Sequence, residues 1–337
     1  MKIGILTSGG DCPGINATIR GVGKTAMMNF GMEVIGIHSG FKGILNEDIE
    51  PFTERSLSGI LNLGGTILGT SREKPFRKLL QSNTDGVADQ LLEKYHELRL
   101  DCVVCIGGNG TMKTANVISD LGMNVIGVPK TIDNDIWGTD MTFGFNTAVN
   151  IATDAIDRLH STASSHKRVM VIEVMGHHAG WIALHAGMAG GGDVILLPEI
   201  GYDMDKINEF ILGRAEKGKP YSIVVVAEGV KIPEDKKTAE FFAKEINKGT
   251  GIETRETVLG HIQRGGNPSP FDRNLATQLG GHATELATKK MFGRMVCVNG
   301  NKIDSIPLSE VANKLKLVEP DNDLIVQGKR MGINFGW

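Results

Sequence analysis

Short apolar runs alternate with stretches of helical period from the first residue onward. Residues 2–7 form an apolar run that predicts a strand. The turn Ser8-Gly9-Gly10-Asp11-Cys12-Pro13-Gly14 follows, with an N-cap candidate and a proline at a helix start, and 15–28 reads as a helix. Strands are expected over 32–37, 102–106 and 124–128, the last ending at Pro129. Helices are expected near 56–63, over 85–97, and from Gly107-Gly108-Asn109-Gly110-Thr111 to about Asp120. A long helix over 147–161 opens a second series, with strands at 169–174, 193–198 and 222–227 and helices beginning near His178, Asp203 and Lys237. A strand-like stretch over 256–262, a helix over 272–289, and a hairpin of 295–298 and 302–306 around Asn299-Gly300-Asn301 complete the pattern. Such alternation predicts an α/β chain with parallel sheets covered by helices on both faces.

A chain of 337 residues is too long for one ordinary core, so two domains are expected. Basic and acidic side chains nearly balance, 36 against 39, which points away from nucleic-acid and membrane-surface partners. An anionic ligand must then be met by local groups of Arg and Lys. The 44 glycines fall in pairs at strand-to-helix junctions, where bare backbone can approach a phosphate. Cys12, Cys102, Cys105 and Cys297 do not form a disulfide framework, and Cys102 and Cys105 read as small apolar side chains on opposite faces of one strand. The first seven residues are too short for a signal peptide, and no apolar run reaches the roughly 18 residues a span requires. A cytoplasmic protein is the expectation.

The candidate chemistry centres on Pro129-Lys130-Thr131-Ile132-Asp133-Asn134-Asp135. Ligands of open α/β sheets gather outside the carboxyl ends of strands, where this loop falls. Two carboxylates at i and i+2, with a hydroxyl two residues before the first, suit phosphoryl transfer: one takes a proton from an alcohol while the other helps hold Mg²⁺. Taken alone, the same residues also suit a surface turn. Gly9-Gly10, Gly64-Gly65 and Gly107-Gly108-Asn109-Gly110 offer N–H groups to an anion at helix starts. Gly23-Lys24-Thr25 is not a P-loop, because Thr18 stands where the first glycine should and the stretch lies inside a helix. His177 and His178 are adjacent, which sends their side chains apart and suits a helix entry better than a metal. Arg168, Arg255, His261 and Arg264 flank strand ends and fit convergence on one dianionic phosphate. Two unit charges about 4 Å apart attract by roughly 4 kcal/mol at an effective dielectric near 20.

These motifs, with Val174-Met175-Gly176 and Gly260-His261-Ile262-Gln263-Arg264-Gly265-Gly266, resemble 6-phosphofructokinase in order and spacing over nearly the whole chain. The resemblance implies two Rossmann-like three-layer domains with largely parallel sheets. It places the donor domain in 1–144 plus 258–300 and the fructose 6-phosphate domain in 145–257 plus 301–337. It implies Mg²⁺-dependent transfer of the ATP γ-phosphoryl group to the 1-hydroxyl of fructose 6-phosphate, with pyrophosphate as an alternative donor and a non-catalytic phosphosugar or nucleotide sensor as a second alternative. By position Asp133 resembles the general base, Asp135 a carboxylate near Mg²⁺, and Thr131 a contact to the transferring group, with Gly10 and Arg72 stabilising its charge. Gly107, Gly108, Asn109, Gly110 and Thr111 match the nucleotide-phosphate loop, with Phe41, Arg72, Arg77 and Lys130 nearby. Arg168, Arg255, His261 and Arg264 match the sugar-phosphate binders, and Met175, Gly176, His177 and Glu228 the sugar contacts. Some of these arginines come from a neighbouring subunit in the family, so a homodimer or homotetramer with shared sites is implied.

Position 109 is Asn where many ATP users carry an acid for Mg²⁺, so the metal would lean on Asp135. Gly110 matches ATP users, whereas Lys130 is typical of pyrophosphate users. Gly110 decides for ATP, because an Asp there would push a carboxylate against the nucleotide while a flexible Lys adds charge without blocking it. His177 replaces a commoner Arg. The effector site of some bacterial members is matched only partly. Arg20, Lys24, Lys217 and Lys219 fit it, whereas Glu54 and His160 stand where cations are expected.

Overall fold

The structure, a computed structural model, describes residues 1–71, 73–83 and 86–337, the side chains of residues 73–75 excepted. Arg72, and Asp85 at the expected start of one helix, lie outside the described residues. The chain runs β1 (Lys2–Ser8), α1 (Ile15–Phe30), β2 (Glu33–Ile37), α2 (Lys42–Leu45), β3 (Ile49–Pro51), α3 (Glu73–Ser82), α4 (Val87–Glu97), β4 (Cys102–Gly107), α5 (Asn109–Asp120), β5 (Val125–Thr131) and β6 (Phe143–Gly144). It continues through α6 (Phe145–His166), β7 (Val169–Val174), α7 (Trp181–Ala189), β8 (Val194–Leu196), α8 (Met204–Glu216), β9 (Ser222–Ala227), α9 (Thr238–Thr250) and β10 (Thr254–Val258). A 3-10 turn at Gly260–Arg264 precedes α10 (Pro270–Thr288), β11 (Arg294–Asn299), β12 (Lys302–Pro307), α11 (Leu308–Val311) and α12 (Asp323–Arg330).

Two compact units emerge. The first comprises Met1–Thr131, Ile136–Asn146 and Arg264–Leu315, and the second Ile132–Asp135, Thr147–Gln263 and Lys316–Trp337. The first holds a sheet of order β12-β11-β5-β4-β1-β2-β3, with β6 also paired to β5. Its interior pairs are parallel, and β3 and β12 close the two edges antiparallel. The apolar side chains of β4 and β5 are buried, as expected of central parallel strands, and Leu6, Ile37, Phe41, Phe76, Met112 and Val125 pack into one core. The second unit holds the wholly parallel sheet β10-β7-β9-β8. Asp203 caps α8 as its position suggests, accepting the Asp205 and Lys206 N–H groups at 2.9 and 3.4 Å.

Five sequence expectations change. The strand at 124–128 does not stop at Pro129: β5 continues to Thr131, because β11 pairs with it only at Ile126 and Gly127, so the missing proline N–H falls where that ladder has already ended. No helix forms at 56–63, where Thr53 and Ser56 bond each other's side chains and backbone and Gly59 turns at φ 76°. Helix α1 starts after the left-handed Gly14 (φ 107°), so Pro13 precedes the cap instead of opening the helix. The stretch 256–262 divides into the end of β10 and the 3-10 turn. Residues 301–315 group with the first unit, because β12 pairs with β11 from Arg294↔Pro307 to Asn299↔Lys302, whereas 132–135 and 258–263 group with the second.

Candidate active site

In the first unit two glycine turns meet at the carboxyl ends of β1 and β4, which are neighbours in register from Ile3↔Cys102 to Ser8↔Gly107. Gly108 caps α5 without a side chain, so the first N–H groups of that helix, from Asn109 onward, face outward at its positive end. Thr111 is buried there, and its Oγ1 makes no hydrogen bond among the described residues. A Cβ on Gly9 would lie 3.7 Å from Thr111 Oγ1 and 3.8 Å from Lys130 Nζ, so glycine backbone, hydroxyl and ammonium share one spot. The Lys130 ammonium donates to the Gly10 carbonyl. Arg264 Nη1 donates to the Asp11 carbonyl at 3.2 Å and passes so close to Gly10 that a Cβ would stand 2.6 Å from it. Arg77 Nη1 donates to the Gly110 carbonyl at 3.2 Å. Three cations thus lie beside the two glycine turns, an arrangement that suits a polyanion. Cys12, beneath this turn, is no nucleophile, since burial pushes its thiol far above the ordinary value.

Phe41 is fully buried in the core of the first unit, where its ring stacks on Phe76 at 6.0 Å.

The acid pair opens the second unit's share of the chain. Thr131 ends β5 and its carbonyl accepts the Thr142 hydroxyl at 2.8 Å, which anchors the strand end. Asp133 and Asp135 follow with only 8% and 9% of their surface exposed, and Asn134 between them takes a left-handed turn at φ 51° that its short polar side chain tolerates. Buried carboxylates of this kind suit a working role better than an exposed turn does. At the carboxyl end of β7, Glu228 Oε1 accepts the Gly176 and His177 N–H groups at 3.2 and 2.8 Å and holds His177 at φ 53°. The two histidines do not diverge: this backbone turn brings their rings edge to face, 3.8 Å apart. His178 titrates below its ordinary value, mainly through burial and then through His177, while Asp133 and Glu228 oppose the shift and so lie within electrostatic reach. Glu173, His177, His178, Glu228, Lys236 and Lys237 line a cavity of about 630 Å³. Sequence reasoning missed this lysine pair, whose only signal was its place just before α9.

Arg168 and Arg255 do not converge with these groups within one chain. Arg168 immediately precedes β7 and Arg255 lies near the start of β10, opposite Met170, whereas Met175, Gly176, His177 and His261 follow the carboxyl ends of those strands. The six residues of β7 that separate Arg168 from Met175 span about 20 Å, beyond side-chain reach, and Arg255 stands level with Met170 near that same starting end. Both arginines meet Glu253 instead, at 2.8 and 2.6 Å. The Arg168 hydrogen bond, then the positive charge of both arginines, holds the Glu253 carboxyl below its ordinary range. Stability from these pairs is therefore present above the unfolded carboxylate range and lost as pH falls through the depressed folded value. Glu253→Gln should lower the denaturation midpoint slightly at neutral pH and not at all in strong acid; an undiminished difference in acid would contradict the pairing.

Among the described residues no three His, Cys, Asp or Glu side chains cluster as a metal site, and no helix is long and apolar enough to cross a membrane.

The Phosphofructokinase family model matches residues 2–287. The chain is 68% identical over 337 residues to ATP-dependent 6-phosphofructokinase 3 of Bacteroides thetaiotaomicron, covering all of both chains. It is 53% identical over 355 residues to ATP-dependent 6-phosphofructokinase of Spirochaeta thermophila, covering 99% of this chain and 97% of the relative. Among solved structures, phosphofructokinase from Saccharomyces cerevisiae superposes with a TM-score of 0.82 at 32% identity, over 92% of this chain and 45% of the yeast chain. Pyrophosphate-dependent phosphofructokinase from Nitrosospira multiformis superposes with a TM-score of 0.86 at 25% identity, over 100% of this chain and 92% of that one. The turns at Gly10 and Gly107, the acid pair at the end of β5 and these full-length likenesses lead to one conclusion: the chain belongs to the phosphofructokinase family.

Proposed function

We propose that this chain transfers the γ-phosphoryl group of ATP to the 1-hydroxyl of fructose 6-phosphate, with Asp133 as base. The observation that carries the assignment of residues is the register of β4 and β5, in which Gly107 pairs with Pro129. It sets the Gly107 turn beside the strand that ends in Lys130 and Thr131, and only Ile132 separates Thr131 from Asp133. Asp133 takes the proton of the sugar hydroxyl as its oxygen attacks phosphorus and the bond to the β-phosphate bridging oxygen breaks, leaving ADP. Lys130 and the N–H groups behind Gly107 and Gly10 bind the donor phosphates and meet the charge that gathers on the transferring group. Arg72 joins them by family position.

The relatives' names support ATP as the donor, and Gly110 leaves the start of α5 open for a nucleotide. Mg²⁺ fits the donor chemistry. It keeps several waters and takes one or two carboxylates with phosphate oxygens, so Asp135 would hold it together with the donor phosphates and leave Asp133 free to act as base, Asn109 offering a neutral oxygen in place of an acid. When bound, the ion neutralises phosphate charge. Glu228, Met175, Gly176 and His177 serve the sugar, and His261 and Arg264 its phosphate. Arg168 and Arg255, at the opposite strand ends, serve a neighbouring copy, which makes the active unit a homodimer or homotetramer with shared sites. The cytoplasm suits this glycolytic chemistry. Incubation with fructose 6-phosphate and ATP should yield fructose 1,6-bisphosphate and ADP one for one; a chain that binds both but forms no bisphosphate would be a sensor instead.

A further inference from the structure

Asp135 is held through its main chain by a residue outside the site. The Lys316 N–H donates to the Asp135 carbonyl at 2.9 Å. The Lys316 carbonyl in turn accepts the Trp181 indole N–H at 2.9 Å, and the Lys316 ammonium lies 5.4 Å from the centroid of the same indole. One side chain therefore grips Lys316 at two points, by a hydrogen bond and by a cation over a ring face. Trp181 is itself fixed at the first position of α7, whose cap Gly180 donates its N–H to Glu199 Oε1 at 2.8 Å. The same carboxylate oxygen accepts the Val318 N–H at 3.0 Å, so Glu199 ties the start of α7 to the far end of the 316–318 segment. Charge-assisted bonds to backbone N–H groups are the stronger kind. The fit is close, since a Cβ on Gly180 would stand 2.8 Å from Glu199 Oε2.

We propose that Trp181 is a positioning residue for the phosphoryl transfer, setting the place of Asp135 through the Lys316 main chain, with Glu199 bracing both. The proposal rests on the role given to Asp135 under Proposed function. An indole suits the task because its N–H donates at every working pH and its face holds the lysine that carries the acceptor. Removing the N–H takes the Trp181 bond from the Lys316 carbonyl and lets the Asp135 turn drift, and a displacement of about 1 Å can cost up to a hundredfold in rate.

The test is steady-state kinetics on Trp181→Phe, Asp135→Asn and the double variant, with thermal midpoints and amide exchange at Lys316 measured alongside. Trp181→Phe keeps a ring beneath the lysine and loses only the donor. It should lower kcat about tenfold, leave KM for fructose 6-phosphate and the midpoint near wild type, and speed exchange of the Lys316 amide. In the Asp135→Asn background it should add no further loss, because both changes act on one carboxylate. Wild-type kcat in Trp181→Phe, or losses that multiply in the double variant, would overturn the proposal while leaving the role of Asp135 intact. Wild-type turnover in Asp135→Asn would instead remove that role, and the proposal with it. Gly180→Ala, whose methyl group meets Glu199, loosens the same brace from the other side and carries the same outcomes if Trp181→Phe does not fold.

Discussion

Replacement of Asp133 by serine is expected to lower turnover by about 10²–10⁴-fold, the usual loss when a general base is removed. Serine keeps a small polar group in a position that is 8% exposed, and the adjoining turn is made by the left-handed Asn134, so the fold should survive. The hydroxyl of serine is no base near neutrality. Sugar affinity should change little, because Glu228 and the loop behind β7 are fastened to each other independently of residue 133. Steady-state kinetics decide the matter through the split between kcat and KM. An unaltered kcat would take Asp133 out of the mechanism, and a raised KM with unaltered kcat would make it a binding group only.

Gly107→Ala is expected to strike the donor side as selectively. The methyl group would lie 2.1 Å from Thr111 Oγ1, 2.3 Å from its Cβ and 2.5 Å from its Cγ2. Threonine has little rotamer freedom in a helix, and this one is buried on the first turn of α5, so the strain falls on the turn that carries the outward N–H groups. Overpacking of this kind costs about 1–3 kcal/mol, equivalent to roughly 5–150-fold in ATP affinity if the loop takes the whole strain. KM for ATP should rise while KM for fructose 6-phosphate stays near wild type. Adding Thr111→Ala should recover little, since the Thr111 Cβ is itself in the way. Equal losses for both substrates would show general damage to the fold instead.

The alternation of apolar runs and helical periods was enough to read the βα series, because buried parallel strands such as β4 and β9 carry an unbroken apolar signal. The hairpin of β11 and β12 was legible from its glycine turn, although the two-residue loop is Gly300-Asn301, with Gly300 at φ 58° in its first place. Where the reading failed, a partner element decided. Pro129 looked like a strand end because a single sequence does not show that β11 leaves β5 two residues earlier. The adjacent histidines were expected to part because local periodicity does not foresee a left-handed His177 held by Glu228, 51 residues away. The acid pair and the glycine turns were visible as motifs. The resemblance implied that some of the arginines act on a neighbouring copy; that these are Arg168 and Arg255 follows from the end of β7 and β10 each occupies.

Initial rates with ATP and with pyrophosphate, each with Mg²⁺ and fructose 6-phosphate, test the account most directly. Gly110 and Lys130 point to different donors, and Gly110 leaves the start of α5 without a carboxylate to repel a nucleotide, so fructose 1,6-bisphosphate should form much faster with ATP. Faster formation with pyrophosphate, or none with either donor, would contradict it.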